Sequence, residues 1–405
     1  MSISRIKDIK FSSKILIIAT RYFPHPSGPA EAVRQITNQI DTVKFDLITI
    51  KESRDLSRFD RIDMVNVHRF GIGNRIIDQY LLAFFGHMFA KRLHDNRQYS
   101  AIWGIGSDYG ATAAASFKIK NPEIPFLLTI QDEDDPKHIR KRIGLVDPWF
   151  RRIFASADHI QCVNDVLMRW ARRMGATCEV SIVPNGINFE EFYKGRLREF
   201  YIDDLKGRLG ITPSEKVIIT SRFPNITWTK NLIRAIALLR DMDGVKIKLL
   251  VHDYGHRRFF LRREAKSRGV EKQIIFLKQI DHDEMPSYLW ISDMYFVTSK
   301  VIPPNTDLLE AMAAKVPIFS PRGSMAPIFF RDVDTGFYYN PNESLSIAEK
   351  IRMIIDETEL RNQIIINGER VAREQFSYEK IKIDIENIFD KLFNKARKRR
   401  GIIRE

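Results

Sequence analysis

Two stretches of this chain, about two hundred residues apart, open alike, and no other feature constrains the fold as strongly. Lys14-Ile-Leu-Ile-Ile-Ala-Thr-Arg-Tyr-Phe-Pro24 is an apolar run of strand length closed by a polar turn, with a helical pattern following at 31–40. Lys216-Val-Ile-Ile-Thr-Ser-Arg-Phe-Pro224 repeats the arrangement ahead of a helical pattern at 232–239. Each reads as the first strand, loop and helix of a doubly wound parallel sheet, in which ligands bind beyond the carboxyl ends of the strands. Two such openings predict an α/β chain of two Rossmann-like domains facing a cleft. At 405 residues the chain exceeds one ordinary core and suits two. The expected limits are 1–195 and 196–377, followed by a long helix and basic tail over 378–405.

Further strands of the first domain are expected at 45–50, 102–103 and 126–130. Residues 76–93 read as a helix that is apolar almost all round, with Phe84, Phe85 and Phe89 among its residues. Burial is the ordinary reason for such a helix, and a membrane-contacting or partner face is the alternative. Val183-Pro-Asn-Gly-Ile-Asn-Phe189 closes the domain as a strand end and turn, where Asn185 and Gly186 tolerate positive φ. In the second domain, strands at 217–221, 247–251, 274–276 and 294–298 alternate with helices. Ile381, Ile385, Ile388 and Leu392 then recur at helical spacing, the signature of one long amphipathic helix.

The formal charge is +14 and unevenly spread. Between Lys137 and Arg173 lie nine Lys or Arg residues against three acids, interleaved with Trp149, Phe150 and Trp170. A second cluster is the tail Lys395-Ala-Arg-Lys-Arg-Arg400. Such patches suit an anionic membrane surface, nucleic acid or a polyphosphate-bearing substrate, and equally a solvated face. Residues 1–13 lack the apolar block of a secretory signal, and no stretch reaches transmembrane length. Cys162 and Cys178 have no paired spacing and read as reduced thiols of a cytoplasmic protein.

Asp307-Leu-Leu-Glu-Ala-Met-Ala-Ala-Lys-Val-Pro-Ile-Phe-Ser-Pro-Arg-Gly323 is a short helix leading into a strand. Leu308, Leu309 and Met312 form the apolar face of the helix, and Val316 to Ser320 is an apolar run of strand length fixed at its entry by Pro317. Asp307 and Glu310 fall in its first turn, behind the rigid polar loop Pro303-Pro304-Asn305-Thr306. A carboxylate there can accept two hydrogen bonds from a vicinal diol such as ribose, while free N–H groups at the helix start face an anion. On spacing alone, complementing the helix dipole accounts for both acids.

This segment resembles the donor-sugar motif of the retaining GT-B glycosyltransferases, glycosyltransferase family 4. In that family an acidic residue, a Gly-rich loop and a Leu-Glu-Ala-Met-Ala helix hold a nucleotide sugar. Glu310 matches the second of two family glutamates, the one that binds the nucleotide ribose. The first falls on Ile302, and the usual Gly-Phe-Gly loop is replaced by Pro303-Pro304-Asn305. The resemblance runs from Ile15 to about Phe393. It implies the GT-B fold, in which the C-terminal helix crosses back to the first domain.

It also implies a set of site residues. Ser221-Arg222-Phe223 and Lys230-Asn231 resemble the family's Arg and Lys pair. Cations fixed beside the leaving diphosphate would stabilise the transition state more than the ground state. Gly28, in the loop between Pro24 and Glu31, matches the family's glycine loop and lets backbone approach the donor. Gln131 stands where many members have His, as a hydrogen-bond donor to developing charge or to the sugar. Asp132 and Asp134 as the Mg²⁺-holding Asp-x-Asp of GT-A enzymes are the alternative, opposed by the second Rossmann domain. His252 follows a strand where the family meets the nucleotide base, and is either a ligand or a packed residue. Asn305, Thr306, Asp307 and Leu309 complete the donor set.

The resulting expectation is a retaining, metal-independent glycosyltransferase with no cofactor. A nucleotide sugar binds the second domain, and a glycan or lipid-linked acceptor binds the first. An anionic membrane surface is a further partner and nucleic acid is not, which places the protein at the cytoplasmic face of the membrane. The alternatives are a non-catalytic GT-B sugar-nucleotide-binding protein, favoured by Ile302, and a sugar-nucleotide epimerase on the same fold.

Overall fold

The computed structural model describes residues 13–25, 28–131, 147–193, 199–221, 224–252, 257–278, 280, 284–299, 306–321, 330–399 and 401. The chain divides into two compact units, Met1–Gly186 with Tyr378–Glu405, and Ile187–Ser377. The junction falls a few residues before the boundary expected at 195. There the chain enters and leaves the second unit side by side, with Ile187 N–H donating to the Phe376 carbonyl at 2.8 Å. Gly186 is required by this close approach rather than by positive φ, since a Cβ on it would lie 2.6 Å from the Tyr378 ring.

Among the described residues the first unit holds eight strands. They are β1 (Lys14–Ala19), β2 (Lys44–Ile50), β3 (Phe59–Ile62), β4 (Val65–Phe70), β5 (Ala101–Ile105), β6 (Phe126–Ile130), β7 (His159–Cys162) and β8 (Glu179–Ile182). Their order is β3-β4-β2-β1-β5-β6-β7-β8, parallel throughout except for the β3–β4 pair. The chain begins at the centre, winds out through β2 and β4, then crosses back to β5. Near-continuous Ile and Leu in β1 follow from burial on both faces. On one face Leu16 and Ile18 meet the helices Arg75–Arg97, Tyr109–Lys120 and Asp147–Ser156. On the other, Ile15 and Ile17 share a core with the helices Gly28–Gln39 and Tyr378–Arg399. The C-terminal helix therefore completes the first unit, contributing Ile381, Ile385, Ile388, Phe389 and Leu392.

The second unit has β9 (Lys216–Thr220), β10 (Ile247–His252), β11 (Ile274–Leu277), β12 (Met294–Phe296), β13 (Ile318–Pro321) and β14 (Phe337–Tyr339). They are all parallel, in the order β11-β10-β9-β12-β13-β14. This is the doubly wound order with its switch between β9 and β12. Stacked rings lock the second half of the sheet, Phe296 on Phe319 at 4.4 Å and Phe319 on Phe337 at 5.2 Å.

Three expectations are corrected. The helix Arg75–Arg97 is not buried all round. One stripe, Asp78, Leu82, Gly86, Ala90 and His94, is buried, while Ile76, Tyr80, Phe84, Phe85 and Met88 are each more than half exposed. The Ala-rich helix Tyr109–Lys120 lies against it, with Gly86 close to Leu82 and Ala113, and takes the more deeply buried place instead. Second, Phe150 and Trp170 are not interface aromatics. Both are core residues packed with Phe154, whose ring is 5.2 Å from that of Trp170. Third, Lys395 and Arg399 of the basic tail turn inward to the buried carboxylate of Asp158. The basic residues 137–142 lie outside the described residues.

Candidate functional site

In the second unit the carboxyl ends of the central strands are tied by two hydroxyls. Ser221, just past β9, donates its N–H to the Phe296 carbonyl at 2.9 Å, and its Oγ accepts from Thr298 N–H at 2.9 Å. Thr220 Oγ1 accepts from His252 N–H at 3.2 Å. The helix Ile226–Asp243 is capped by Asn225, whose Oδ1 accepts from Trp228 N–H and whose N–H reaches the Thr298 carbonyl at 2.7 Å. The switch between β9 and β12, where an open α/β sheet takes its ligand, is thus a fixed platform.

Two helices flank it. Lys230 lies in the second turn of the Ile226–Asp243 helix, half-buried, its Nζ 5.8 Å from the centre of the Phe260 ring. The helix Thr306–Ala313 follows β12 and carries Asp307 and Glu310, respectively 8% and 2% exposed. A carboxylate withdrawn this far from water is costly unless hydrogen-bond donors meet it. Leu308, Leu309 and Met312 bury the other side of this helix in the core. Any donor contact by Leu309 therefore falls to its N–H, one of the first four of the helix. His252 is the last residue of β10 and fully buried. Arg222, Ile302, Asn305, Asp132 and Asp134, as well as the side chain of Thr306, lie outside the described residues.

The first unit has its own switch, between β1 and β5. Thr20 Oγ1, at the end of β1, accepts from Gly110 N–H at 2.8 Å, and Asp108 Oδ1 accepts from the same N–H at 3.0 Å. A side chain at Gly110 would place Cβ 2.6 Å from Thr20 N, so only glycine lets the Tyr109–Lys120 helix start against the strand. Sequence reasoning missed this residue, although Asp108 ahead of an Ala-rich run is a readable cap signal. Gly28 is exposed and opens the helix after β1. Gln131, just past β6, is 2% exposed, and among the described residues neither its Oε1 nor its Nε2 has a hydrogen-bond partner. Behind it runs a satisfied chain: Trp103 Nε1 donates to Thr129 Oγ1 at 2.7 Å, Thr129 to Gln161 Oε1 at 2.6 Å, and Gln161 Nε2 to the Val183 carbonyl at 2.7 Å. The contrast makes Gln131 an unspent polar group at the ligand-binding edge of its sheet. Thr298 Oγ1, fully buried and without a partner among the described residues, is a second such group in the other unit, and no motif in the sequence pointed to it.

The family Glycosyl transferases group 1 matches residues 203–371. The chain is 21% identical over 320 residues to the alpha-monoglucosyldiacylglycerol synthase of Streptococcus pneumoniae, a match covering 76% of this chain and 70% of that one. It is 26% identical over 212 residues to the N-acetyl-alpha-D-glucosaminyl L-malate synthase of Bacillus anthracis, covering 52% and 53%. Among solved structures, sucrose-phosphate synthase of Thermosynechococcus elongatus superposes with a TM-score of 0.72 at 17% identity, over 94% of this chain and 99% of that one. The chain has the GT-B fold of glycosyltransferases. This GT-B chain also superposes on Anabaena HepE in complex with UDP, with a TM-score of 0.69 at 18% identity, over 93% and 100% of the two chains. Among its described residues no helix is long and apolar enough to cross a membrane.

Proposed function

We propose that this protein transfers a sugar from a nucleotide-sugar donor, held by the second unit, to a hydroxyl of a lipid-linked or glycan acceptor, with retention and without a metal ion. One observation carries the reading. The helix bearing the buried Glu310 and the helix bearing Lys230 both follow strands that border the sheet's switch. Glu310 would accept from the ribose diol of the nucleotide, with Asp307 beside it and the first N–H groups of that helix, at Thr306 and Leu309, turned to an anion. Asn305 and His252 complete the donor contacts. Lys230, with Arg222, would neutralise the diphosphate as its charge grows on departure. Gln131 and Gly28 of the first unit would meet the sugar and diphosphate, and the leaving phosphate would take the acceptor proton. HepE, of like fold, was solved with UDP, which favours a uridine nucleotide.

The acceptor side rests on two further observations. The Streptococcus pneumoniae relative is by name a synthase of a glucosyldiacylglycerol. The exposed Ile76, Tyr80, Phe84 and Met88 give the first unit an apolar helical face suited to a membrane surface. We therefore place the protein as a peripheral one, working on a lipid-borne acceptor at the inner face of the membrane.

The donor test is a panel of nucleotide sugars. One of them should raise the melting temperature, by mass action on the folded state, and then support transfer to a lipid acceptor. A protein that is stabilised by no nucleotide sugar would overturn the donor site. Activity should persist in saturating EDTA. Complete loss, restored by Mg²⁺ or Mn²⁺, would replace the cationic side chains with a metal held by Asp132 and Asp134.

A further inference from the structure

The helix Arg257–Ser267 of the second unit has an outer face that its own fold does not use. Leu261 and Ala265 are buried in the core beneath it. At 100° per residue, Phe259, Arg263 and Lys266 project from the opposite side. Phe259 is 66% exposed and the adjacent Phe260 48%, their rings in edge contact at 5.7 Å. Two adjacent phenyl rings left this open on a surface helix need a reason.

The charges around them are equally unspent. Glu264 is the only acid on this helix, and it is engaged by Arg234 at 2.7 Å and Arg268 at 3.4 Å. No carboxylate among the described residues pairs with Arg262, Arg263 or Lys266. The Arg262 guanidinium instead lies 5.5 Å from the centre of the Phe276 ring, a contact that holds it in place without neutralising it. A cationic face with aromatics at its pole complements one kind of surface in particular, which is anionic outside and apolar a few ångströms within.

We propose that this face rests on an anionic bilayer. Phe259 enters the boundary between headgroups and acyl chains, backed by Phe260, whose ring also faces Lys230, and Arg262, Arg263 and Lys266 lie on lipid phosphates. The inference deepens the membrane-facing part of the proposed function and rests on it. It assigns the second unit a lipid contact of its own, separate from the apolar face of the Arg75–Arg97 helix. Nucleic acid would satisfy the same cations, but its bases are reached by stacking on an open aromatic platform, whereas these two rings meet edge to face.

The experiment uses the full chain with Phe259→Cys carrying a polarity-sensitive fluorophore, in a Cys178→Ser background that leaves only the buried Cys162. Vesicles of phosphatidylcholine with phosphatidylglycerol should shift the emission to the blue at low salt. Phosphatidylcholine alone, or high salt, should leave it unmoved. In the otherwise unmodified chain, Arg262→Gln with Arg263→Gln should weaken partitioning to the anionic vesicles by roughly thirty-fold. If the protein co-sediments with anionic vesicles while the label does not respond, this proposal fails and the membrane reading stands through the first unit alone. If it does not co-sediment at all, both fail. An equal blue shift with poly(U) in place of vesicles would reassign the face to nucleic acid and overturn the proposal.

Discussion

Asp158, in the turn before β7, has its carboxyl almost wholly buried and receives Lys118 at 2.8 Å, Lys395 at 3.3 Å, Arg399 and the Phe126 N–H. Burial by itself would raise this carboxyl. Hydrogen bonds from Arg399 and Lys118, with the Phe126 amide, outweigh it and hold the group at about 2. A depressed folded-state value stabilises the native protein above the ordinary value of 3.8, and that contribution is lost as pH falls towards about 2. Asp158→Asn should therefore cost on the order of 3–5 kcal/mol at pH 7, because it leaves Lys118 buried and uncompensated. In urea titrations the deficit should shrink between about pH 4 and pH 2, and a constant deficit would mean that packing, not charge, is responsible. At the proposed donor site, Glu310→Gln and Arg222→Ala should each lose on the order of 2–4 kcal/mol of transition-state stabilisation. Both should melt like the parent, and near-parental turnover in both would move the donor site elsewhere.

Among the elements, the helix Arg75–Arg97 shows best where sequence and structure part. Its composition reads as burial, but hydrophobicity does not say which neighbour lies on which side. The Tyr109–Lys120 helix, with Gly110 and four Ala on its buried side, fits the inner place that a helix of Phe and Met would overfill. The two sides should respond oppositely to substitution. Leu82→Ala should cost about 2–5 kcal/mol, as for a fully enclosed leucine. Phe84→Ser with Met88→Ser should stay within about 0.5 kcal/mol per site. Denaturant midpoints decide between them, and equal losses would place the outer face in contact with something in the fold. The central strands were legible to within a residue or two, because runs such as Ile15–Ile18 are apolar on both faces and bounded by polar turns, whereas the more polar β3, β4 and β7 were not read as strands. The helix Thr306–Ala313 was legible too, through its motif.

For the whole molecule, the division into units is not a division of the chain. Ile381, Ile385, Ile388 and Leu392 fill a core with β1 residues Ile15 and Ile17, more than three hundred and fifty positions earlier. Residues 187–377 should therefore fold alone with a cooperative melt. Residues 1–186 should not, unless residues 378–405 are supplied in trans or by fusion. Circular dichroism and chemical denaturation of the three polypeptides would show this, and a cooperative transition for 1–186 by itself would refute it.

The sequence by itself determined two doubly wound sheets, the long closing helix, and the short helix that carries Glu310. These are local matters of apolar period, caps and contiguous motifs. Only the tertiary structure decided that Phe150 and Trp170 are core, that Lys395 and Arg399 serve Asp158, and that Gln131 and Thr298 keep buried polar atoms without partners among the described residues. It also decided which sides of two helices remain uncovered. The physical reason is common to all of these. Burial and ion pairing depend on which distant residue arrives opposite, and periodicity along the chain does not carry that information.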